Sequence, residues 1–99
     1  MEDTIFSNRA RTELTTLFEL LQQTGKYEDL DIDLQDDVLY ITLPTNRQYV
    51  INRHTPSKQI WLSSPLTGAD YFSYNDQDWH NKSGGQLKQL LMTELAIYE

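Results

Sequence analysis

The stretch Asp29-Leu30-Asp31-Ile32-Asp33-Leu34-Gln35-Asp36-Asp37-Val38-Leu39-Tyr40-Ile41-Thr42-Leu43 decides the fold class. Its first six residues alternate strictly between aspartate and an aliphatic side chain. A period of two marks a strand with one face buried and the other wet. Gln35-Asp36-Asp37 reads as a turn. Val38 to Leu43 is β-branched and aromatic-rich, and predicts a second strand paired with the first as a hairpin.

Further strands follow toward the C-terminus. Pro44-Thr45-Asn46 turns the chain, Gln48 to Asn52 is a third strand, and Thr55-Pro56-Ser57 breaks it. Lys58 to Ser63 is a fourth strand, Pro65 to Gly68 turns again, and Tyr71 to Tyr74 is a fifth. Trp79 and His80 supply a short sixth. Links this short join antiparallel neighbours, since a parallel pair needs a crossover of a dozen residues or more.

On either side of the strands the period becomes helical. Ile5, Phe6, Ala10, Leu14, Leu17, Phe18 and Leu21 make one apolar stripe, which predicts a helix over residues 4–23. Asp3 or Thr4 is its expected cap, and Gly25 suits the left-handed turn after its end. Beyond Ser83-Gly84-Gly85, the residues Leu87, Leu90, Leu91, Leu95 and Tyr98 form a second stripe. Alternating strands imply one covered sheet face. The expectation is an α+β fold: a two-layer α/β sandwich whose antiparallel five- to six-stranded sheet carries the N- and C-terminal helices on one face. Ninety-nine residues make room for a single domain, 1–99.

Fifteen acids against eight bases give a net charge of −7, which argues against nucleic acid, because phosphate contacts need a basic face. Metal cations, or a partner with a basic surface, suit the charge better. The absence of cysteine excludes disulfides, thiolate metal sites and a cysteine nucleophile. No apolar run is long enough to span a membrane. The early acids Glu2 and Asp3 are unlike a transit peptide, so a cytoplasmic location is expected, with the mitochondrial matrix as the alternative.

The charge is also unevenly placed. Residues 28–37 hold Glu28, Asp29, Asp31, Asp33, Asp36 and Asp37 and no base, whereas residues 38–69 hold no acid. The spacing Asp29/Asp31/Asp33 is not a calcium loop, because Leu34 stands where the glycine and Tyr40 where the bidentate glutamate must be. Two readings stand: a charged edge that deters strand-to-strand aggregation, or a shallow carboxylate site for a hard cation. Trp61 likewise has two. It is a core residue, or, if Ile60 and Leu62 fill the core, it lies on the open face as a binding anchor. His54 and His80 lack zinc spacing, and Gly84-Gly85 lacks the rest of a phosphate loop.

The run Asn52-x-x-x-Pro56-x-x-Gln59-Ile60-Trp61-Leu62-Ser63-Ser64-Pro65-x-x-Gly68 resembles the frataxin family. The resemblance continues through the aromatic strand, Trp79 and the Gly84/Leu87/Leu90-Leu91/Glu94-Leu95 helix, and covers nearly the whole chain. It implies the same α/β sandwich and a role in iron–sulfur cluster assembly. It also implies weak iron binding on an acidic ridge, matched here by Glu19, Glu28, Asp29, Asp31, Asp33, Asp36 and Asp37. The implied partners are a cysteine desulfurase and an iron–sulfur scaffold protein, met through Asn52, Arg53, Gln59 and Trp61, with a monomer expected. His54 occupies a neighbouring family position. The alternatives are a ferroxidase and a metal-independent adaptor. The first is disfavoured by surface aspartates, since ferroxidase centres hold iron between inward-facing Glu and His.

Overall fold

The structure is a computed structural model and describes residues 1–98. Helix α1 (Asp3–Gln23) leads into a sheet of β1 (Asp31–Gln35), β2 (Val38–Thr42), β3 (Gln48–His54), β4 (Gln59–Ser64), β5 (Gly68–Asn75) and β6 (Asp78–His80), followed by α2 (Leu87–Leu95). All neighbouring strands are antiparallel and lie in sequence order, so the sheet is a simple meander with β1 and β6 at its edges. The α/β sandwich read from the sequence is the fold observed, with the sixth strand present.

Two hairpins close with two-residue loops, Asp36-Asp37 and Asp76-Gln77, and all four residues have positive φ. Such turns match the right-handed twist of the strands they join. Aspartate tolerates that conformation because its short side chain can bond locally.

Several boundaries differ from the sequence reading. The first strand begins at Asp31, not Asp29, because Leu30 N–H donates to the Tyr27 carbonyl and closes a turn. The ladder with β2 also ends at Asp31↔Thr42, so Asp29 has no partner strand. Strand β5 starts at Gly68 rather than Tyr71, since pairing with β4 carries through residues of weak strand preference. Neither Asp3 nor Thr4 caps α1. Glu2 holds that position without a side-chain bond, and Asp3 pairs instead with Lys58 in the β3–β4 turn. Ile5 is 43% exposed, which leaves Phe6, Ala10, Leu14, Leu17 and Leu21 as the buried stripe.

The covered face of the sheet contributes Leu39, Ile41, Tyr49, Ile51, Ile60, Leu62, Phe72 and Trp79 to one core. Leu87, Leu91 and Leu95 of α2 join the α1 stripe above it. Phe6 and Tyr74 both meet Trp79 edge-on, at 6.0 and 5.3 Å between centroids. Edge-to-face pairs of this kind add stabilisation beyond area burial.

Polar bonds fix the far end of the sandwich. Glu94 on α2 accepts from Tyr49 Oη (3.0 Å), Ser64 Oγ (2.6 Å) and Thr67 Oγ1 (2.9 Å). Ser64 Oγ in turn accepts from the backbone N–H groups of Leu66 and Thr67. The Ser64-Pro65 part of the motif therefore ties the β4–β5 turn to the second helix. The Gly84-Gly85 pair is also structural. Gly84 has φ +88, and a Cβ on Gly85 would stand 3.0 Å from Leu90 Cδ1.

Candidate docking face and acidic edge

Among the described residues, no helix covers the other face of the sheet. Strand phase decides what lies there. Ile60 and Leu62 are buried in the core, so Trp61 between them points the opposite way, half-buried. In register, Trp61 lies beside Asn52 on β3 and Tyr71 on β5, and Gln59 lies beside His54 and Ser73. Gln59 Nε2 donates to Ser73 Oγ at 3.3 Å. The structure thus brings Asn52, Gln59 and Trp61 together on one open surface.

Trp61 is held by aromatic contacts rather than by core packing. The His54 imidazole stacks on the indole at 3.8 Å between centroids and 17° from parallel. Tyr71, 46% exposed, meets the indole edge-on at 5.2 Å. His54 Nδ1 lies 2.8 Å from Ser57 Oγ, which ties the imidazole to the short 3-10 turn Thr55–Ser57. The indole Nε1 is buried and, among the described residues, has no hydrogen-bond partner. A cleft of about 380 Å³ opens on the same face, bordered by Gln59, Tyr71, Ser73 and His80.

Arg53 is separated from these residues. It lies between Asn52 and His54 and so projects to the helix side, with the buried Ile60 as its register partner. There its Nη1 comes within 3.1 Å of Asp37 Oδ2. Arg11 of α1 grips the same carboxylate twice, Nε to Oδ1 and Nη2 to Oδ2, both at 3.2 Å. Asp37 therefore lies between two guanidiniums, apart from the other acids in its chemistry. An acid so engaged presents little free charge to a cation.

The remaining acids are solvent-facing. Asp31 and Asp33 occupy the exposed positions of edge strand β1, and Asp36 is exposed in the turn beyond it. Glu28 and Asp29 lie in the preceding turn, where Glu28 borders a small cleft with Gln22 and Tyr27. Glu19 is exposed on α1 beside Thr16 and Gln23. Among the described residues, no three Asp, Glu or His side chains are gathered as a metal-holding group. The acids form an extended edge rather than one coordination shell.

Sequence reasoning named His54 only as a neighbouring family position and Glu94 only as part of a helix motif, and missed the role of each. His54 shares the phase of Asn52 and Trp61 across the ladder, and that parity was the available signal. Glu94 sits beside the buried Leu95 in a helix otherwise read for its leucines, and periodicity cannot register a carboxylate that accepts from three hydroxyls.

A helix-flanked antiparallel meander with an open aromatic face and an acidic edge strand defines the class. The frataxin-like domain family model matches residues 1–98. The chain belongs to the frataxin family. Mitochondrial frataxin of Dictyostelium discoideum is 39% identical over 80 residues, covering 78% of this chain and 42% of that protein. The chain thus spans less than half the length of that relative. Trimeric frataxin from the yeast Saccharomyces cerevisiae, complexed with ferrous iron, superposes with a TM-score of 0.81 at 31% identity, covering 91% of this chain and 84% of that one. Frataxin from Psychromonas ingrahamii shares the fold at a TM-score of 0.76 and 22% identity, covering 96% and 89% of the two chains. Among the described residues, no helix is long and apolar enough to cross a membrane.

Proposed function

We propose that this protein is an iron-binding regulator of iron–sulfur cluster assembly that docks on a cysteine desulfurase–scaffold complex. The observation that carries the reading is Trp61, held on an uncovered sheet face between His54 and Tyr71, with Asn52 and Gln59 as its polar neighbours. Rigid aromatic side chains among polar groups are the usual anchors of protein interfaces. The working unit in this reading is a monomeric single domain, 1–99, in the cytoplasm, and the mitochondrial matrix is the alternative location. Arg53 contributes by bracing Asp37 rather than by touching the partner.

Iron is cargo here, not a resident cofactor. Asp31, Asp33 and Asp36, with Glu28 and Asp29 in the adjoining turn, offer hard oxygen ligands that suit a hydrated cation. An extended edge without a closed shell gives weak, exchangeable binding. Glu19 adds charge from α1, and Asp37 is the weakest ligand of the set because its oxygens already accept from Arg11.

An anaerobic ferrous titration followed by oxygen tests the reading. Resonance changes confined to residues 28–36 support an iron-binding edge. No change at those residues leaves a metal-independent adaptor. Oxidation turnover above the uncatalysed rate would make the protein a ferroxidase instead.

A further inference from the structure

The cleft on the open face is lined by side chains that suit a ligand of its own. Strand phase sets its floor. Phe72 and Trp79 are buried in the core, so Tyr71, Ser73 and His80 turn to the open face. Ser73 pairs in register with Gln59 on one side and with His80 on the other. Beyond β6 the cleft is bordered by the turn that carries Asn81 and Lys82. That turn is pinned. Asn81 N–H donates to the Gly85 carbonyl, and Asn81 Oδ1 accepts from the N–H groups of Ser83 and Gly85.

The polar atoms left free decide what the cleft can hold. Asp70 is the one carboxylate lining it, and both of its oxygens are committed, Oδ1 to the Tyr71 N–H and Oδ2 to Asn81 Nδ2, each at 2.9 Å. The donors are open. Lys82 is exposed and, among the described residues, has no ion-pair partner. Ser73 Oγ accepts from Gln59 Nε2 and keeps its own proton to give. The His80 ring makes no hydrogen bond among the described residues, and Nδ1 is its one nitrogen shut off from solvent. A proton on that buried nitrogen would be an unmet donor, so the favoured neutral tautomer carries it on Nε2, which meets solvent.

We propose that the cleft binds a small organic monocarboxylate, with its anionic group at Lys82, His80 and Ser73 and its apolar body against Tyr71 and Ala69. Free donors around a single full positive charge match a single negative charge. A dianion such as phosphate suits the cleft less, because Asp70 adds negative charge and no arginine or helix N-terminus lines it. The volume, about 380 Å³, takes an acid the size of benzoate and lies within the usual range of ligand pockets. A lone aspartate or glutamate side chain reaching in from a partner would leave most of it empty. Tyr71, 46% exposed, supplies a flat apolar wall. Recognition needs neither iron nor a docking partner.

The test follows amide and imidazole resonances by NMR as sodium benzoate, acetate or phosphate replaces chloride at constant ionic strength. Benzoate should give saturable shifts confined to the cleft, at Tyr71, Ser73, His80 and Lys82, and should bind more tightly than acetate or phosphate. N-acetyl-glutamate amide, which presents a carboxylate as a partner's side chain would, should bind no more tightly than acetate. Lys82→Gln should weaken benzoate binding about fivefold, the scale of one exposed charge contact. His80→Phe should weaken it about threefold, the scale of one hydrogen bond. Lys88→Gln, on α2 and outside the cleft, should leave it unchanged. Lys82 is exposed, so its variant decides the question even where His80→Phe disturbs β6. Shifts that never saturate, or equal weakening by Lys82→Gln and Lys88→Gln, overturn the site. Tighter binding of phosphate than of benzoate overturns the choice of ligand. Tighter binding of the glutamate derivative than of benzoate gives the cleft to a partner's side chain and overturns the free acid.

Discussion

Tyr49 Oη donates to Glu94 Oε1 across 3.0 Å, and this bond ties the middle of the sheet to the C-terminal helix. Burial, first, and then the Glu94 hydrogen bond and charge push the Tyr49 hydroxyl well above the ordinary tyrosine range. A raised folded pKa means the folded state keeps its proton where the unfolded chain would lose it. The resulting stability is fully present below about pH 10, the unfolded value, and is lost as pH rises through the folded one. Alkaline melting curves should therefore fall more steeply for wild type than for Tyr49→Phe. At neutral pH Tyr49→Phe should cost about 1–2 kcal/mol and Glu94→Ala about 2–4 kcal/mol, since the latter takes the acceptor from three hydroxyls, those of Tyr49, Ser64 and Thr67. Equal slopes for Tyr49→Phe and wild type would remove Tyr49 from the alkaline response.

Glu13 on α1 illustrates the opposite sign of usefulness. Burial, with Asp78 nearby, raises its pKa, and Lys88 opposes the shift. Its contribution is favourable below the unfolded carboxylate value and is lost as pH rises through the folded one. At neutral pH the ionised group is a liability. Glu13→Gln should raise the melting temperature at pH 7 and leave it unchanged near pH 4, as read by paired thermal melts. A lower melting temperature at pH 7 would show that the carboxylate has a stabilising partner.

The acidic edge divides into two kinds of aspartate. Asp31 and Asp33 share a strand face, about 6.5–7 Å apart, and repel by roughly 0.6 kcal/mol in water before salt screening. Asp37 is paired with Arg11 and Arg53. Asp31→Asn/Asp33→Asn should raise the melting temperature at low salt and lose that advantage at high salt. Asp37→Asn should do the reverse, costing about 1 kcal/mol, or roughly 4–8 °C in a domain of this size, because two guanidiniums lose their shared carboxylate. Shifts of the same sign for both variants would contradict the division.

Much of this architecture was legible in local patterns because each pattern answers to one periodicity. Alternation at Asp31 to Leu34 and the stripe from Phe6 to Leu21 each reflect burial on one face, and burial organises the fold. The phase of Ile60 and Leu62 likewise placed Trp61 correctly on the open side. What local pattern did not carry were relationships between distant residues. Asp29 continues the alternation but has no partner strand, because pairing depends on where β2 ends. Arg53 stands inside the family motif, yet one step of strand phase turns it toward Asp37. Asp37 looks like its acidic neighbours until the fold brings Arg11 to it. The His54–Trp61 stack needs the β3–β4 register, which a turn of unknown geometry leaves open in the sequence.

The central claim is that the open face around Trp61 is a docking surface and not part of the folding core. The direct measurement is calorimetric binding of Trp61→Ala and wild type to a purified cysteine desulfurase–scaffold complex, alongside thermal melts of both proteins. The account predicts a loss of about 2 kcal/mol or more in binding, roughly 30-fold in affinity, with a melting temperature lowered by only a few degrees. Unchanged affinity, or a collapse of the melting temperature that accounts for any loss of binding, would contradict it.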